Sequence, residues 1–313
     1  MIKEEFYFDS RDGENRIHAV RYTPDDGNVR GIVQIVHGMA EYVERYENLA
    51  EFLTKRGILV TGEDHLGHGK SVSEGGSFGY FCEQDPATVV VRDVHRLKKI
   101  TEEQYPQVPY IILGHSMGSF IARNYLCRYG SGIDGAVIVG TGMQSSGLIF
   151  ASKAMAGIQK LFCGSKHVSH FIDKAAFGGY NKRIDSPRTS SDWLSRNTDN
   201  VDRYIADELC GFTFTVNGFQ TLFELIRRLQ KQENLEKVPQ NLPILMVSGA
   251  EDPVGDYGKG VHKACDSLKR AGVKNIIVKL YENDRHELLN EDDAETAMED
   301  IWKWICKEVP GIV

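Results

Sequence analysis

The chain has 313 residues, enough for one sizeable core with an insertion and too few for two large domains. Its apolar and charged fractions are ordinary for a globular protein, and its formal net charge of -7 offers no basic face to nucleic acid and no strong pull toward anionic lipid. The N-terminal MIKEEFYFDSRDGENR lacks the apolar segment of a signal peptide, no stretch has the length of a transmembrane helix, and six scattered cysteines form no C-x-x-C pair, so a cytoplasmic protein with reduced thiols is expected.

The first elements, EEFYFDS and RIHAVRYTP, alternate polar and apolar residues around Asp12-Gly13, which predicts an antiparallel hairpin. Gly31–Val36 (GIVQIV) reads as a buried strand ending at His37-Gly38. Tyr46, Leu49, Ala50 and Leu53 have helical spacing within 45–56, and Ile58–Thr61 is the next strand, followed by the loop Asp64–Ser71. A helix is predicted over Pro86–Gln104, closed by Tyr105-Pro106, then a buried strand over Tyr110–Leu113. A helix follows from Ser119, and another strand occupies Gly135–Val139. Between 144 and 239 there are helical patterns but no buried strand. Strand–helix order resumes with Pro243–Ser248, a helix over 260–270, a strand over 275–281 and a helix over 292–307. Such alternation predicts a mostly parallel sheet with helices on both faces, built from 1–143 and 240–313, with 144–239 as a helical insertion between its two halves.

The chemistry centres on Gly114-His115-Ser116-Met117-Gly118, a G-x-S-x-G pattern between a buried strand and a helix. A serine on so tight a turn is held in a strained backbone conformation at a helix N-terminus, with flanking glycines where a Cβ would collide. A serine needs a histidine base and a group to orient it. After the insertion, Asp252 follows one strand and His286 the next, so both sit on the sheet edge where open α/β sheets collect ligand-binding groups. Glu251, Asp256 and Asp284 are rival carboxylates; Asp252 is preferred because it comes a short step after its strand and is stiffened by Pro253. Acyl transfer also needs two oxyanion donors, assigned here to the backbone N–H groups of Met39 and Met117, with a purely structural tight turn at Gly38 as the lesser alternative.

Gly69-Lys70-Ser71 imitates the end of a phosphate-binding loop, but Asp64 stands where that pattern needs its first glycine. Asp64, His65 and His68 have no further ligand cluster to make a metal site, and a hydrogen-bonded loop is the simpler expectation. No metal or cofactor is implied.

HGMAEY, DHLGHGKS, GHSMG, the D-P-V-G acid loop and the R-H-E histidine loop, in this order, resemble the monoacylglycerol lipase and lysophospholipase branch of the α/β-hydrolase superfamily, also grouped with serine-aminopeptidase-like hydrolases. The resemblance covers roughly 10–143 and 240–310. It implies the α/β-hydrolase fold, a serine hydrolase with Ser116 as nucleophile, Asp252 and His286 as its partners, Met39 and Met117 as oxyanion donors, and 144–239 as a cap over the site. Ala40 stands where many relatives carry a second glycine. The implied substrate is a lipid-like ester of a single acyl chain, such as a monoacylglycerol or lysophospholipid. An aminopeptidase or amidase with the same triad is the alternative, with Asp199, Asp202, Asp207 or Glu208 available to hold an ammonium group. A non-catalytic protein that kept the fold is a further one.

The cap matches the family poorly. Leu148, Ile149, Phe150, Met155, Ile158, Leu161 and Phe162 form one apolar stripe, and Phe212, Phe214, Phe219, Leu222, Phe223 and Ile226 another. They suit either a lipid-accepting channel with transient membrane contact or ordinary packing on the core. Trp193, Arg196 and Asp199 are candidates to lie over Ser116.

Overall fold

In the computed structural model, which describes residues 1–312, the alternating N-terminal segments form β1 (Ile2–Asp9) and β2 (Arg16–Thr23), paired antiparallel. The buried apolar runs become β3 (Gly31–Val36), β4 (Ile58–Glu63), β5 (Tyr110–His115), β6 (Gly135–Val139), β7 (Ile244–Gly249) and β8 (Ile276–Tyr281). These eight strands make one sheet in the order β1-β2-β4-β3-β5-β6-β7-β8. β2 runs antiparallel to β4, and every pairing from β4 to β8 is parallel. β3 to β7 are buried at every position, which is why they read as unbroken apolar runs; edge strand β8 alternates instead.

Helices cover both faces. Ile111 and Leu113 of β5 join the core cluster that contains α1 (Glu47–Thr54) and, at the other end of the chain, the helix Ala294–Glu308. Tyr110 and Ile112 turn the other way, toward α2 (Pro86–Gln104) and α3 (Met117–Tyr129). This period-two division is what a strand covered on both sides requires. Each fully buried Leu or Ile contributes roughly 1.5–3 kcal/mol. Between β6 and β7 lie α4 (Ser146–Cys163), α5 (His170–Phe177), α6 (Thr198–Ala206), α7 (Val216–Leu229) and α8 (Gln232–Leu235). α9 (Lys259–Arg270) and α10 (Ala294–Glu308) complete the chain. The only strand-like pairing within 144–239 is an isolated bridge between Val168 and Thr215.

Two expectations need adjusting. The helical spacing over 45–56 covers two elements, a 3₁₀ turn at Val43–Tyr46 and then α1. The break follows from what this turn must hold: Val43 N–H donates to Asp64, while Arg45 and Tyr46 both reach Glu41. The two apolar stripes also have different fates. Phe214, Phe219, Leu222, Phe223 and Ile226 are buried, and α7 packs on α3, with Asn124 donating to the Leu225 carbonyl. In the first stripe Phe150, Ile158, Leu161 and Phe162 are exposed, while Ile149 is buried.

β4 and α2 bring together two acids that burial disfavours in charged form. Glu63 is buried with neither carboxyl oxygen hydrogen-bonded, and its pKa lies well above the ordinary value. Burial also pushes Asp93 up to about 7, although it accepts from Arg11 N–H at 2.6 Å and from Ser10 Oγ at 2.7 Å. A carboxyl raised in this way binds its proton in the folded state where the unfolded chain has lost it, so stability falls as pH climbs from about 4 to about 7 and then levels. Asp93→Asn keeps both partners without the charge. It is expected to raise stability at about pH 8 by on the order of 2 kcal/mol and to flatten the pH dependence, as read by urea denaturation.

Candidate active site

The sheet order reverses at β3, with β4 on one side and β5 on the other, so the loops leaving β3 and β5 part company and open a crevice between them. Ser116 stands at this point, between β5 and α3, with φ 53° and ψ −120°, a conformation that costs a non-glycine residue of order 1–3 kcal/mol. The conformation is held from both sides: Ser116 N–H donates to the Val139 carbonyl at 3.0 Å, and Ser119 N–H donates to the Ser116 carbonyl at 2.9 Å. Gly118 permits it, since a Cβ there would sit 1.9 Å from the Val36 carbonyl oxygen. α3 therefore starts almost in contact with the end of β3.

The β3 turn is pinned through Gly38. Its N–H donates to Glu41 Oε1 at 2.5 Å, and His37 Nδ1 donates to its carbonyl at 2.8 Å. His37 Nε2 in turn accepts from His65 N–H at 3.0 Å, which fixes the tautomer. Because the N–H and C=O of one planar peptide point opposite ways, anchoring the Gly38 carbonyl directs the Met39 N–H away from His37. Neither the Met39 nor the Met117 amide donates to another group among the described residues, and both residues line the same cavity as Ser116.

After β7 and β8 come the other two candidates. His286 Nδ1 lies 3.0 Å from Asp252 Oδ2, and both residues are buried. Asp252 also accepts from Ser248 Oγ at 3.1 Å and from Val254 N–H at 2.8 Å, so the carboxylate is fixed on three sides. The rivals do not pair with His286: Asp284 pairs with Arg196 at 2.9 Å, Glu251 is exposed, and Asp256, though it lines the cavity, has φ 48° and no hydrogen bond to the histidine. Ser116 and His286 open onto one cavity without a hydrogen bond between them, a slack common at unliganded sites.

That cavity measures about 890 Å³, the size range of small-molecule sites. Leu148, Met155, Phe177, Leu222, Phe223 and Ile226 give it an apolar wall. Trp193 lies over His286 with ring centroids 5.2 Å apart. Arg196 is spent on Asp284, and Asp199 is exposed. Four groups escaped sequence reasoning: Glu41, Arg45, His115 and Glu287, a buried polar cluster beside His286. Their only signal in the sequence is closeness to the HG, GHSMG and RHE motifs.

Asp64 is occupied by protein donors: it accepts from Val43 N–H, Lys70 N–H and His18 Nδ1. The trio Glu5, His18 and Glu44, close enough to share a cation, is bridged by the ammonium groups of Lys3 and Lys70.

The sequence signature of the family described as serine aminopeptidase, S33, matches residues 27–293. Over 293 residues the chain is 27% identical to the monoglyceride lipase of Rattus norvegicus, covering 92% of this chain and 86% of that one. It is 28% identical to the monoacylglycerol lipase of Mycolicibacterium smegmatis, covering 92% of each. Among solved structures, a thermostable carboxyl esterase from Bacillus coagulans, in complex with glycerol, superposes with a TM-score of 0.91 at 31% identity over 100% of both chains. A lipase in an open form gives 0.87 at 27% identity, over 98% of this chain and 99% of that one.

The closest packing at the site supplies a stability test. Gly118→Ala is expected to cost roughly 3 kcal/mol or more, since the new methyl can be accommodated only by separating α3 from β3; urea denaturation against wild type measures it.

Proposed function

Because the chain belongs to the serine aminopeptidase, S33, family and has the α/β-hydrolase fold, we propose that it is a carboxylic ester hydrolase acting on single acyl chains, as a monoacylglycerol lipase or lysophospholipase does. The observation that carries this is the convergence of Ser116, a His286 hydrogen-bonded to Asp252, and two unengaged amides at one apolar cavity. His286 Nε2 takes the Ser116 proton as Oγ attacks the ester carbonyl. The Met39 and Met117 amides hold the oxyanion, and Asp252 keeps the imidazole oriented and balances its charge. Collapse expels the alcohol, protonated by His286, and leaves an acyl group on Ser116. Water, deprotonated by His286, then attacks the acyl carbonyl, and the fatty acid departs as the proton returns to Ser116.

Residues 144–239 serve as the cap in this reading, and the apolar wall from α4 and α7 takes the acyl chain. An aminopeptidase would need a carboxylate for the substrate's ammonium group. Asp199, Asp202 and Glu208 are exposed, Asp207 accepts from Tyr42, and none of the four lines the cavity, so that role would fall to Asp173 or Asp256, which do line it. On the far side of α4 and α5, Phe150, Leu161, Phe162 and Phe171 are between 65% and 85% exposed, next to the wall supplied by Leu148. No helix among the described residues is long and apolar enough to cross a membrane. This face fits transient contact with a lipid surface.

In a series of p-nitrophenyl esters and monoacylglycerols, turnover is expected to peak at medium or long chains and to fall to background in Ser116→Ala with the fold intact. A preference for acetate would return the cavity wall to ordinary packing, and an active alanine variant would remove Ser116 from the chemistry. Phe162→Glu is expected to lower turnover of vesicle-borne monoacylglycerol several-fold while leaving soluble p-nitrophenyl butyrate unaffected; equal effects on both would count against surface contact.

A further inference from the structure

One buried carboxylate touches both halves of the proposed machinery. Glu41, 3% exposed, accepts at Oε1 from Gly38 N–H at 2.5 Å and from Tyr46 OH at 2.8 Å, with His115 Nδ1 at 3.3 Å. Its Oε2 accepts from Arg45 at 2.9 Å. A Cβ on Gly38 would lie 2.6 Å from Glu41 Oε1, so the glycine is what lets this carboxylate grip the turn. His115, the residue before Ser116, lies 2.9 Å from Tyr46 OH through Nδ1 and 3.1 Å from the His286 carbonyl through Nε2. Arg45 forks onto both oxygens of Glu287 at 2.7 and 2.8 Å. Asn200 of α6 donates to Glu287 at 2.6 Å, tying the cap to the same cluster.

The protons follow from the partners. A carbonyl oxygen only accepts, so His115 Nε2 carries hydrogen. Nδ1 faces a carboxylate oxygen and a phenol whose own proton goes to that carboxylate, so it carries hydrogen too. Charge balance agrees: Glu41 and Glu287 are two buried anions, Arg45 is one cation, and a second cation neutralises the group. The titratable and charged groups around this pair are Glu41, Arg45 and Tyr46 ahead of α1, His37 after β3, His65 after β4, Tyr204 and Cys210 of the inserted segment, and His286 and Glu287 after β8.

We propose that Glu41 and His115 form a buried ion pair that positions the active centre, holding the peptide that leads into the Met39 amide with one end and the main chain of His286 with the other. Burial alone would lower the His115 pKa, but the hydrogen bond and charge of Glu41 outweigh it and hold it above the ordinary value. Glu41 is likewise held well below the carboxylate range: burial opposes this, and His115 and then Arg45 prevail. Glu41 and His115 are positioning residues, and their part in turnover rests on the ester-hydrolase reading.

The test has a readout without substrate. In ¹⁵N-histidine spectra of the resting protein at about pH 8, where an ordinary histidine is neutral, two residues are expected to retain both ring protons: His115, and His18, whose Nδ1 and Nε2 face Asp64 and Glu5 at 2.8 and 3.0 Å. The signal that vanishes in His115→Asn should shift to the neutral pattern in Glu41→Gln, while that of His18 stays in both variants. In ester turnover, Glu41→Gln is expected to lower kcat at least tenfold with KM within about threefold, per folded Ser116 titrated with a fluorophosphonate. If this variant does not fold, Glu41→Asp replaces it, with the imidazolium retained and kcat reduced. A wild type in which the signal removed by His115→Asn has the neutral pattern at about pH 8 overturns the ion pair; unchanged kcat in the folded variant overturns the positioning role. Failure of the ester reading itself shows separately, as absent wild-type turnover with the imidazolium signal intact.

Discussion

The contact between the first turn of α3 and the last carbonyls of β3 is the constraint on which the site depends. With Gly118 this close to the Val36 oxygen, neither element can shift without the other. Ser116 is forced into a left-handed conformation as the chain passes from β5 into α3, and its strain is sustained by main-chain bonds to β6 and to its own helix. The same closeness sets the β3 turn beside Ser116, so that Met39 and Met117, two residues of different elements with unengaged amides, line one cavity. Central strands buried on both faces make the platform rigid enough to hold that geometry.

Around this fixed point the electrostatics are arranged in pairs. Asp252 serves His286 on one side, and the Glu41–His115 and Arg45–Glu287 pairs brace it on the other. Burying so many charges is costly unless each is matched, and here every carboxylate of the cluster has a cation within 3.3 Å. The inserted segment 144–239 is joined to this cluster as well as to the core by packing, since Asn200 meets Glu287 and Trp193 lies over His286. Any movement of α6 would therefore act on the loop that carries His286.

Much of the fold was legible because its strands are buried on both faces and its motifs sit at strand ends. β3, β6 and α2 have the bounds that apolar runs and punctuation predict, and the hairpin turns at Asp12-Gly13 as its alternation implies. The pairing of His286 with Asp252 among four nearby acids was favoured by its step after a strand. What could not be read was decided by tertiary contact. Val43–Tyr46 gives up α-helical geometry to serve Asp64 and Glu41, although its spacing continues that of α1. Phe162 and Phe214 look alike in sequence, yet one is 85% exposed and the other fully buried. Glu41 and Glu287 were singled out by no motif reading, because His115 reaches Glu41 and Arg45 reaches Glu287 from distant positions in the chain.

The most direct measurement is the fate of the acyl group itself. In rapid mixing of the enzyme with a medium-chain p-nitrophenyl ester, followed by acid quench and peptide mass spectrometry, a burst of p-nitrophenol should match the concentration of active sites. The acyl mass should appear on the peptide carrying Ser116. Acylation at another residue, or steady turnover with no acylated Ser116 detected at any time under conditions that slow deacylation, would contradict the serine mechanism on which the functional reading stands.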